Sequence, residues 1–586
     1  MNKKYLLGNE AIAYGLVEGN IDASFAYPGT PSSEITEKLI ELSRIYNFYV
    51  EWSINEKVAY ENAYGVSLTG RRAAIIMKHV GLNVASDAFI TSAYTGVIGG
   101  LVVVVADDPY AHSSQNEQDS RRYAVMGKVP ALEPSSVQEA KDMVPFAFSL
   151  SERSGLPVIV RSVTRLSHSR ADVVLQEIKY IKRESFFKKA PERFVMVPAN
   201  ARISLQLLNE KQKDIKEYVE ELPWNEAENT PSETGIITAG ISFQYIKEIK
   251  ESQNLPFALF KASTIPLPYK KIASFIKNKR KLFIFEEGDP VVEEQIYIIA
   301  KSINPSLEIA GKINGKVPAG GEMSVEVIDR VLNGKSTQKT LHLLPKRIPV
   351  LCPGCPHSGS FYILKKVFGK DAIFPGDIGC YTLGIQSGTI DTCLCMGGGI
   401  GTGTGIARFE KKRPVLSIIG DSTFFHAGIP ELINACYNNA NQVIAILDNR
   451  TTAMTGHQPH PGVGITASGE KTIDIDIEKL AYVCGADKVV VIDPYRIKES
   501  IDRLKEIKGM KGVRVIVAKR PCILIEKQVV AKFKVDNEKC KGCKLCLEIM
   551  CPAINLINGK AEISVYCNGC GICEEICPFG AIKRYE

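Results

Sequence analysis

The chain contains Pro414-Val415-Leu416-Ser417-Ile418-Ile419-Gly420-Asp421-Ser422-Thr423 and then Gln442-Val443-Ile444-Ala445-Ile446-Leu447-Asp448-Asn449-Arg450-Thr451. Each is a short apolar run, rich in branched side chains, that breaks into small and oxygen-bearing residues. Runs of this kind read as strands of a parallel sheet buried on both faces. In open α/β sheets, ligands bind at the carboxyl ends of the strands. Asp421 and Asn449 fall there, and their carboxylate and amide oxygens are the hard donors that Mg²⁺ shares with phosphates. Gly420 lets the backbone approach a diphosphate, and the start of the next helix offers N–H groups. The plainer alternative is two ordinary strand ends with polar loops.

The same alternation of short strands and helical stretches fills most of the 586 residues, too many for one core. It predicts an α/β, multidomain chain with doubly wound parallel sheets. Residues 1–178 form the first domain, with strands near 23–27, 72–77, 102–106 and 157–160. Its apolar run at 98–106 suits a strand covered on both faces. Residues 179–345 form a middle α/β domain, with charged helical sequence to about 230 and a Glu/Pro/Thr-rich linker at 225–233. Its strands fall near 235–239, 257–260 and 281–285. Polar sequence at 334–346 leads to a third domain, 346–528, which carries the opening motif. The join to a small fourth domain, 529–586, falls near Val529.

Eight of the 16 cysteines lie in that last domain, in two matched runs. One is Cys540-x2-Cys543-x2-Cys546-x4-Cys551-Pro552, the other Cys567-x2-Cys570-x2-Cys573-x3-Cys577-Pro578. This is the ligand pattern of a two-cluster bacterial ferredoxin, in which the fourth cysteine of each run serves the other [4Fe–4S] cube. Cys540, Cys543, Cys546 and Cys577 are then one set, and Cys551, Cys567, Cys570 and Cys573 the other. The x4 spacing before Cys551 is one residue longer than usual. A disulfide framework needs a secretory leader, which Met1-Asn2-Lys3-Lys4 does not suggest. Zinc sites use paired knuckles rather than triplets followed by Cys-Pro. Cys352-x2-Cys355 and Cys393-x-Cys395 read as reduced cysteines beside a cofactor rather than ligands of a further metal.

Composition is that of a water-soluble chain, 45% hydrophobic and 23% charged, with no apolar run long enough to span a membrane. The net charge of +7 is scattered, so no basic face marks a nucleic-acid binder. The glycine-rich stretch at 397–403 lacks a preceding strand and a following acidic residue, which argues for close helix packing or cofactor approach over nucleotide binding.

The opening pair of segments resembles the thiamine-diphosphate motif, Gly-Asp-Gly followed by Asn-Asn. Ser422 replaces the second Gly and Asp448 the first Asn. The resemblance keeps Asp421 and Asn449 as Mg²⁺ ligands, adds the carbonyl of Thr451, and places Gly420, Ser422 and Thr423 at the diphosphate. Enzymes of this superfamily also need a carboxylate at the aminopyrimidine ring. Glu56, which opens Glu56-Lys57-Val58-Ala59-Tyr60-Glu61-Asn62-Ala63-Tyr64-Gly65, is the match; Glu61 is the rival, and either could lie on a solvated helix face.

Thiamine and two cubes in one chain resemble the 2-oxoacid:ferredoxin oxidoreductases. The carrying segments are Tyr27-Pro28-Gly29-Thr30-Pro31-Ser32-Ser33, in which Thr30 faces the substrate, Cys352-Pro353-Gly354-Cys355, Asp377-Ile378-Gly379-Cys380-Tyr381 and Thr455-Gly456-His457-Gln458. Lys78-His79-Val80-Gly81-Leu82-Asn83-Val84, Pro356-His357, the 420–431 stretch with His426, and Pro459-His460-Pro461-Gly462 are similar to the α subunits that act on indolepyruvate. The resemblance implies oxidative decarboxylation of arylpyruvates, chiefly indolepyruvate, to aryl-acetyl-CoA and CO2, with coenzyme A as co-substrate and an external ferredoxin as acceptor. It implies a smaller β subunit, in a heterodimer or α2β2 assembly; low-potential cluster chemistry and reduced cysteines argue for a cytoplasmic setting. Gly379, Cys380, Tyr381 and Thr455 fall beside the cofactor. Five of the eight histidines lie in these loops, and His79, His357, His426 and His457 are the catalytic candidates. Two other classes remain open: a non-oxidative thiamine lyase, and an electron-transfer subunit without catalysis of its own.

Overall fold

In a computed structural model the chain divides into two compact units, Met1–His342 and Leu343–Glu586. The structure describes residues 2–178, 181, 183–228, 230–334, 348–526 and 532–585. The connectors expected at 334–346 and near Val529 lie almost wholly outside these residues.

The first unit holds two large sheets and a two-stranded antiparallel one, Asn2–Leu7 with Arg170–Leu175. Strands β1 (Ala23–Ala26), β2 (Tyr49–Trp52), β3 (Ala73–Lys78), β4 (Leu101–Asp107), β5 (Ala131–Leu132) and β6 (Val158–Val163) pair in the order β5-β6-β4-β3-β1-β2, all parallel. Every residue of β4 is buried, as a strand with helices on both faces must be. The second sheet takes β7 (Glu226–Glu228), β8 (Thr234–Thr238), β9 (Ala258–Lys261), β11 (Lys281–Phe285) and β12 (Glu308–Ala310), ordered β12-β11-β8-β9-β7.

Between β9 and β11 the short strand β10 (Thr264–Ile265) leaves this sheet and pairs antiparallel with β5 of the first. The two expected domains, 1–178 and 179–345, are thereby sewn together. A buried ionic network joins them further. Arg121 meets Asp119 at 2.6 Å and Glu286 at 2.8 Å, Arg161 meets Asp107 at 2.6 Å, and Glu133 touches both arginines. Part of the expected linker at 225–233 is also structure. Glu226–Glu228 is an antiparallel edge strand on β9, and the buried Asn225 amide accepts from Ser263 N at 2.9 Å. The polar composition that suggested a linker belongs to exposed side chains at a sheet edge; the backbone beneath them is paired.

The second unit has a four-stranded parallel sheet. Strands β13 (Leu416–Gly420), β14 (Gln442–Asp448), β15 (Lys488–Ile492) and β16 (Val513–Lys519) run in the order β13-β14-β16-β15. The glycine-rich stretch forms the helix Gly399–Phe409, whose Gly399 packs against backbone of Gly376 and Ile418. The cysteine-rich module carries two antiparallel pairs, β17 (Phe533–Val535) with β20 (Ile582–Arg584), and β18 (Ile554–Ile557) with β19 (Lys560–Ile563). Its Phe533, Ile549, Ile572 and Ile576 share one apolar core with Leu351, Phe361, Ile492 and Ile497 of the sheet domain.

Candidate functional site

At the end of β13 the chain turns directly into a helix, Asp421–Thr423, a π-turn, Phe424–Gly428, and a further helix, Ile429–Tyr437. Asp421, buried at the start, is held from three sides. Its Oδ1 accepts from Ser422 N at 2.8 Å, and its Oδ2 accepts from Arg450 N at 2.7 Å and faces His460 Nε2 at 3.0 Å. Since Gly462 N donates to His460 Nδ1 at 3.1 Å, the proton of the neutral ring sits on Nε2 and points at Asp421. Burial raises the Asp421 carboxyl, but His460 and the Ser422 N–H outweigh it and hold the group below its ordinary range. Its neighbour Asp448 moves the other way, to about 7, through burial and the Asp421 charge.

Asn449 follows on β14. Its Oδ1 accepts from Thr451 N at 3.1 Å and its Nδ2 faces His357 Nε2 at 3.4 Å. Burial takes the His357 imidazole down to about 4, against a smaller pull from Asp421, so the ring is neutral at neutral pH and accepts. Asp421, Asn449 and Thr451 therefore converge on one pair of adjacent strand ends, with a carboxylate, an amide oxygen and a backbone carbonyl: a donor set that fits Mg²⁺. Gly420 also answers a packing demand. A Cβ there would lie 2.6 Å from the Tyr381 ring, which packs beneath the turn and donates to Asp377 and, at 3.2 Å, to Thr423.

Beside these oxygens lies a group of four thiols. Burial first, and then Cys380, Cys352 and Cys522, push the Cys355 thiol up; Cys380 rises to about 11 by burial and by Cys522 and Cys352. Cys522 N donates to the Asn449 carbonyl at 2.9 Å, and both Cys380 and Cys522 feel Asp421. Cys352 and Cys355 thus pair with Cys380 and Cys522, whereas Cys393 and Cys395 are exposed and face Asp377 and Glu431.

The module continues the pattern. Cys540, Cys543, Cys546 and Cys577 line one apolar pocket, and Cys551, Cys567, Cys570 and Cys573 line another. Burial and the other thiols of its set raise Cys546; the same causes raise Cys573 further. Four thiols that repel one another as thiolates fit a cationic iron centre. The extra residue before Cys551 is absorbed at Met550, which takes a left-handed turn with φ 54° after the 3₁₀ helix Leu545–Ile549. Among the described residues no three His, Cys, Asp or Glu side chains close on a single metal ion. A cube needs no such closure, since each cysteine binds its own iron.

In the first unit, the loops after β1, β2 and β3 bring Thr30, Glu56, Lys78 and His79 together at the carboxyl edge of the sheet. Glu56 opens the helix Glu56–Leu68, capped by Asn55, and is buried. Its rival Glu61 is on the wet face of that helix, 2.5 Å from Lys57. Gly81 packs so tightly on Glu56 that a Cβ would lie 2.8 Å from its Cγ. Lys78, which sequence reasoning passed over, has its ammonium taken down to about 8 by burial, against Asp108 and Glu56. His79 is buried, its imidazole lowered by burial, with Nε2 against Asn116 O at 3.1 Å and Nδ1 without a hydrogen-bond partner. The remaining candidates lie in the second unit. His426 is buried in the π-turn, and His457 sits at φ 66° in the loop beyond Thr455, whose hydroxyl turns to Gln458 Oε1 at 2.6 Å. His460 was within the quoted loop; its bond to Asp421 is what the sequence did not disclose.

Residues 377–518 match the family described as thiamine pyrophosphate enzyme, C-terminal TPP binding domain, and residues 14–227 match pyruvate flavodoxin/ferredoxin oxidoreductase, thiamine diphosphate-binding. Residues 565–583 match the 4Fe-4S binding domain. The chain is 43% identical to the indolepyruvate oxidoreductase subunit IorA of Archaeoglobus fulgidus, over 99% of this chain and 97% of that one. It is 43% identical to IorA of Pyrococcus horikoshii, over 99% and 97%. A solved 2-oxoglutarate:ferredoxin oxidoreductase from Magnetococcus marinus is 16% identical, with a TM-score of 0.46 over 57% of this chain and 65% of that one, too slight a likeness to transfer any residue.

Two thiamine-binding segments and an iron–sulfur segment on one α/β chain define a thiamine-diphosphate-dependent 2-oxoacid:ferredoxin oxidoreductase. Matched over almost the whole length of both partners, the chain belongs to the family of IorA subunits of indolepyruvate oxidoreductase. Among the described residues no helix is long and apolar enough to cross a membrane.

Proposed function

We propose that this chain, with a smaller β subunit in a heterodimer or α2β2 assembly, oxidises arylpyruvates, chiefly indolepyruvate, to aryl-acetyl-CoA and CO2, reducing an external ferredoxin in the cytoplasm. The observation that carries the reading is the adjacency, within one unit, of the Asp421–Asn449–Thr451 oxygen set and the thiols of Cys380 and Cys522. Asp421, Asn449 and the Thr451 carbonyl would hold Mg²⁺, with Ser422 and Thr423 at the diphosphate. Bound thiamine diphosphate supplies the electron sink for loss of CO2, and iron–sulfur cubes take up electrons singly. Glu56 holds the proton at the aminopyrimidine nitrogen. His357, kept neutral, engages the Asn449 amide nitrogen and leaves Oδ1 as the metal donor. Thr30, His79, His426 and His457 are proposed to orient the substrate carboxylate and move protons beside it. Cys540, Cys543, Cys546 and Cys577 would hold one cube and Cys551, Cys567, Cys570 and Cys573 a second; Cys352, Cys355, Cys380 and Cys522 offer a donor set for a third.

Anaerobic assay of the chain with its partner, using indolepyruvate, coenzyme A and a viologen dye, tests the reading. Dye reduction with thioester formation is expected. Thiamine binding and CO2 release without dye reduction would identify a non-oxidative lyase. Iron without thiamine binding would identify an electron-transfer subunit.

A further inference from the structure

The two halves of the cysteine-rich module face different surroundings. The half carrying Cys567, Cys570 and Cys573 is seated on its own chain. Asn568 Nδ2 donates to Pro353 O at 2.7 Å, Glu575 accepts from Lys498 N at 3.2 Å, and a Cβ on Gly354 would lie 3.5 Å from Cys570 Cβ. The other half presents Cys543 to solvent. Around it stand Lys539, Lys541, Lys544 and Lys560, all exposed. Lys541 and Lys544 line the pocket of Cys540, Cys543, Cys546 and Cys577, together with Leu556 and Phe579, which are 38% and 46% exposed. The carboxylates of this half are Asp536, paired to Lys539 at 3.8 Å, Glu538, Glu562, and Glu548, which pairs with Lys366 at 3.2 Å. The seated half has no lysine from Ser564 to Ile576 and carries Glu574 and Glu575.

We propose that this lysine-rimmed apolar patch over Cys543 is the docking surface for an acidic, one-electron carrier protein. The proposal rests on the oxidoreductase reading and adds the surface and charge of the partner. A small apolar centre inside a ring of one charge suits a transient electron-transfer encounter, in which charge steers approach and the contact stays small enough to release. A carrier that docks here leaves reduced by one electron, and the two-electron oxidation of one 2-oxoacid loads two carriers.

The test uses the assembled enzyme and an acidic single-cluster ferredoxin, which accepts one electron. Binding of oxidised ferredoxin is measured by calorimetry from low to high salt, beside ferredoxin and viologen reduction rates. Lys541→Glu with Lys544→Glu, and separately Lys560→Glu, should weaken ferredoxin binding at low salt by roughly tenfold and flatten its salt dependence, leaving iron content and viologen reduction unchanged. Unchanged ferredoxin affinity with intact clusters would overturn the proposal. So would loss of β-subunit association, which would make the patch a subunit interface. If the variants do not assemble, salt-independent ferredoxin binding by the unaltered enzyme overturns it equally. Failure of viologen reduction in the unaltered enzyme would instead strike the oxidoreductase reading.

Discussion

Replacing His460 with alanine removes one hydrogen bond from the Asp421 carboxylate and nothing else that faces the metal donors directly. The bond spans 3.0 Å between side chains that are 3% and 4% exposed. A hydrogen bond to a charged acceptor in such a place contributes about 1.5–3 kcal/mol. That corresponds to roughly a 10- to 150-fold change in an equilibrium constant. Groups that orient a metal ligand from behind have effects of the same order on metal affinity. We therefore expect His460→Ala to weaken Mg²⁺-dependent binding of thiamine diphosphate by about 10- to 100-fold. His460→Gln, whose amide can place a donor near the Nε2 position, should recover most of it. The assay is calorimetric titration of cofactor-depleted, iron-replete enzyme with Mg²⁺ and thiamine diphosphate, with iron content as the control. His460 also packs on Phe425, with ring centroids 5.6 Å apart, so the glutamine variant separates the two roles. Affinity within twofold of the unaltered protein in His460→Ala would refute the reasoning. Failure of glutamine to recover any affinity would transfer the effect from the hydrogen bond to packing.

The other expectations concern separate parts of the molecule. Glu56→Gln should abolish turnover with the iron spectrum unchanged. Gly81→Ala, whose Cβ would lie 2.8 Å from Glu56 Cγ, should cut turnover roughly tenfold or more by displacing that carboxyl; a normal rate in either variant rejects the assignment. Cys522→Ser should lower iron content by about four atoms per chain if its thiol group holds a cube, and an unchanged content would remove that group from the ligands. Arg121→Ala strands the buried Asp119, Glu133 and Glu286 carboxylates and should destabilise the first unit by roughly 3–5 kcal/mol in denaturant unfolding; a loss under about 1 kcal/mol would contradict it. The hydrogen bond from His168 to Glu34 raises the imidazole and lowers the carboxyl. The histidine's contribution is full below its unfolded value near 6.5 and fades as pH rises through its folded value; the glutamate's is full above about 4.5 and fades on acidification. Both groups are over a third exposed, so the stability effect is small. The clean readout is an imidazole NMR resonance titrating above 6.5 that vanishes in His168→Gln.

What could be read from the chain was local chemistry written in adjacent residues. Asp421 and Asn449 each follow a recognisable apolar strand, and Glu56 follows its own N-cap, so a single pass along the sequence finds them. The module's cysteines carry their geometry in their spacing. The thiol group beside Asn449 could not be read this way. Cys522 belongs with Cys352 and Cys355 only because β16 lies next to β14, which brings Cys522 N to the Asn449 carbonyl. Cys393 and Cys395, read from the sequence as reduced cysteines beside a cofactor like Cys352 and Cys355, are exposed near Asp377 and Glu431 instead. The edge strand Glu226–Glu228 was hidden for a different reason: its hydrogen bonds are made by backbone, which leaves no side-chain signature. At Gly420 the packing demand could not be read from the sequence, because the Tyr381 ring that a Cβ would meet arrives from another loop.

The shared core of Phe533, Ile549, Ile572 and Ile576 with Leu351 and Phe361 also bears on what loss of the module's iron would do to the rest of the unit. Folding of a small cysteine-rich module is coupled to the iron it binds. Here that module is not a detachable arm but one wall of the domain that carries Asp421 and Asn449. Oxidative loss of its iron would loosen Pro353 and Gly354, and with them the loop of Cys352 and Cys355. Damage that begins at the outermost cysteines would then travel inward through this packing, and loss of the module's iron is expected to loosen the strand ends of Asp421 and Asn449 as well.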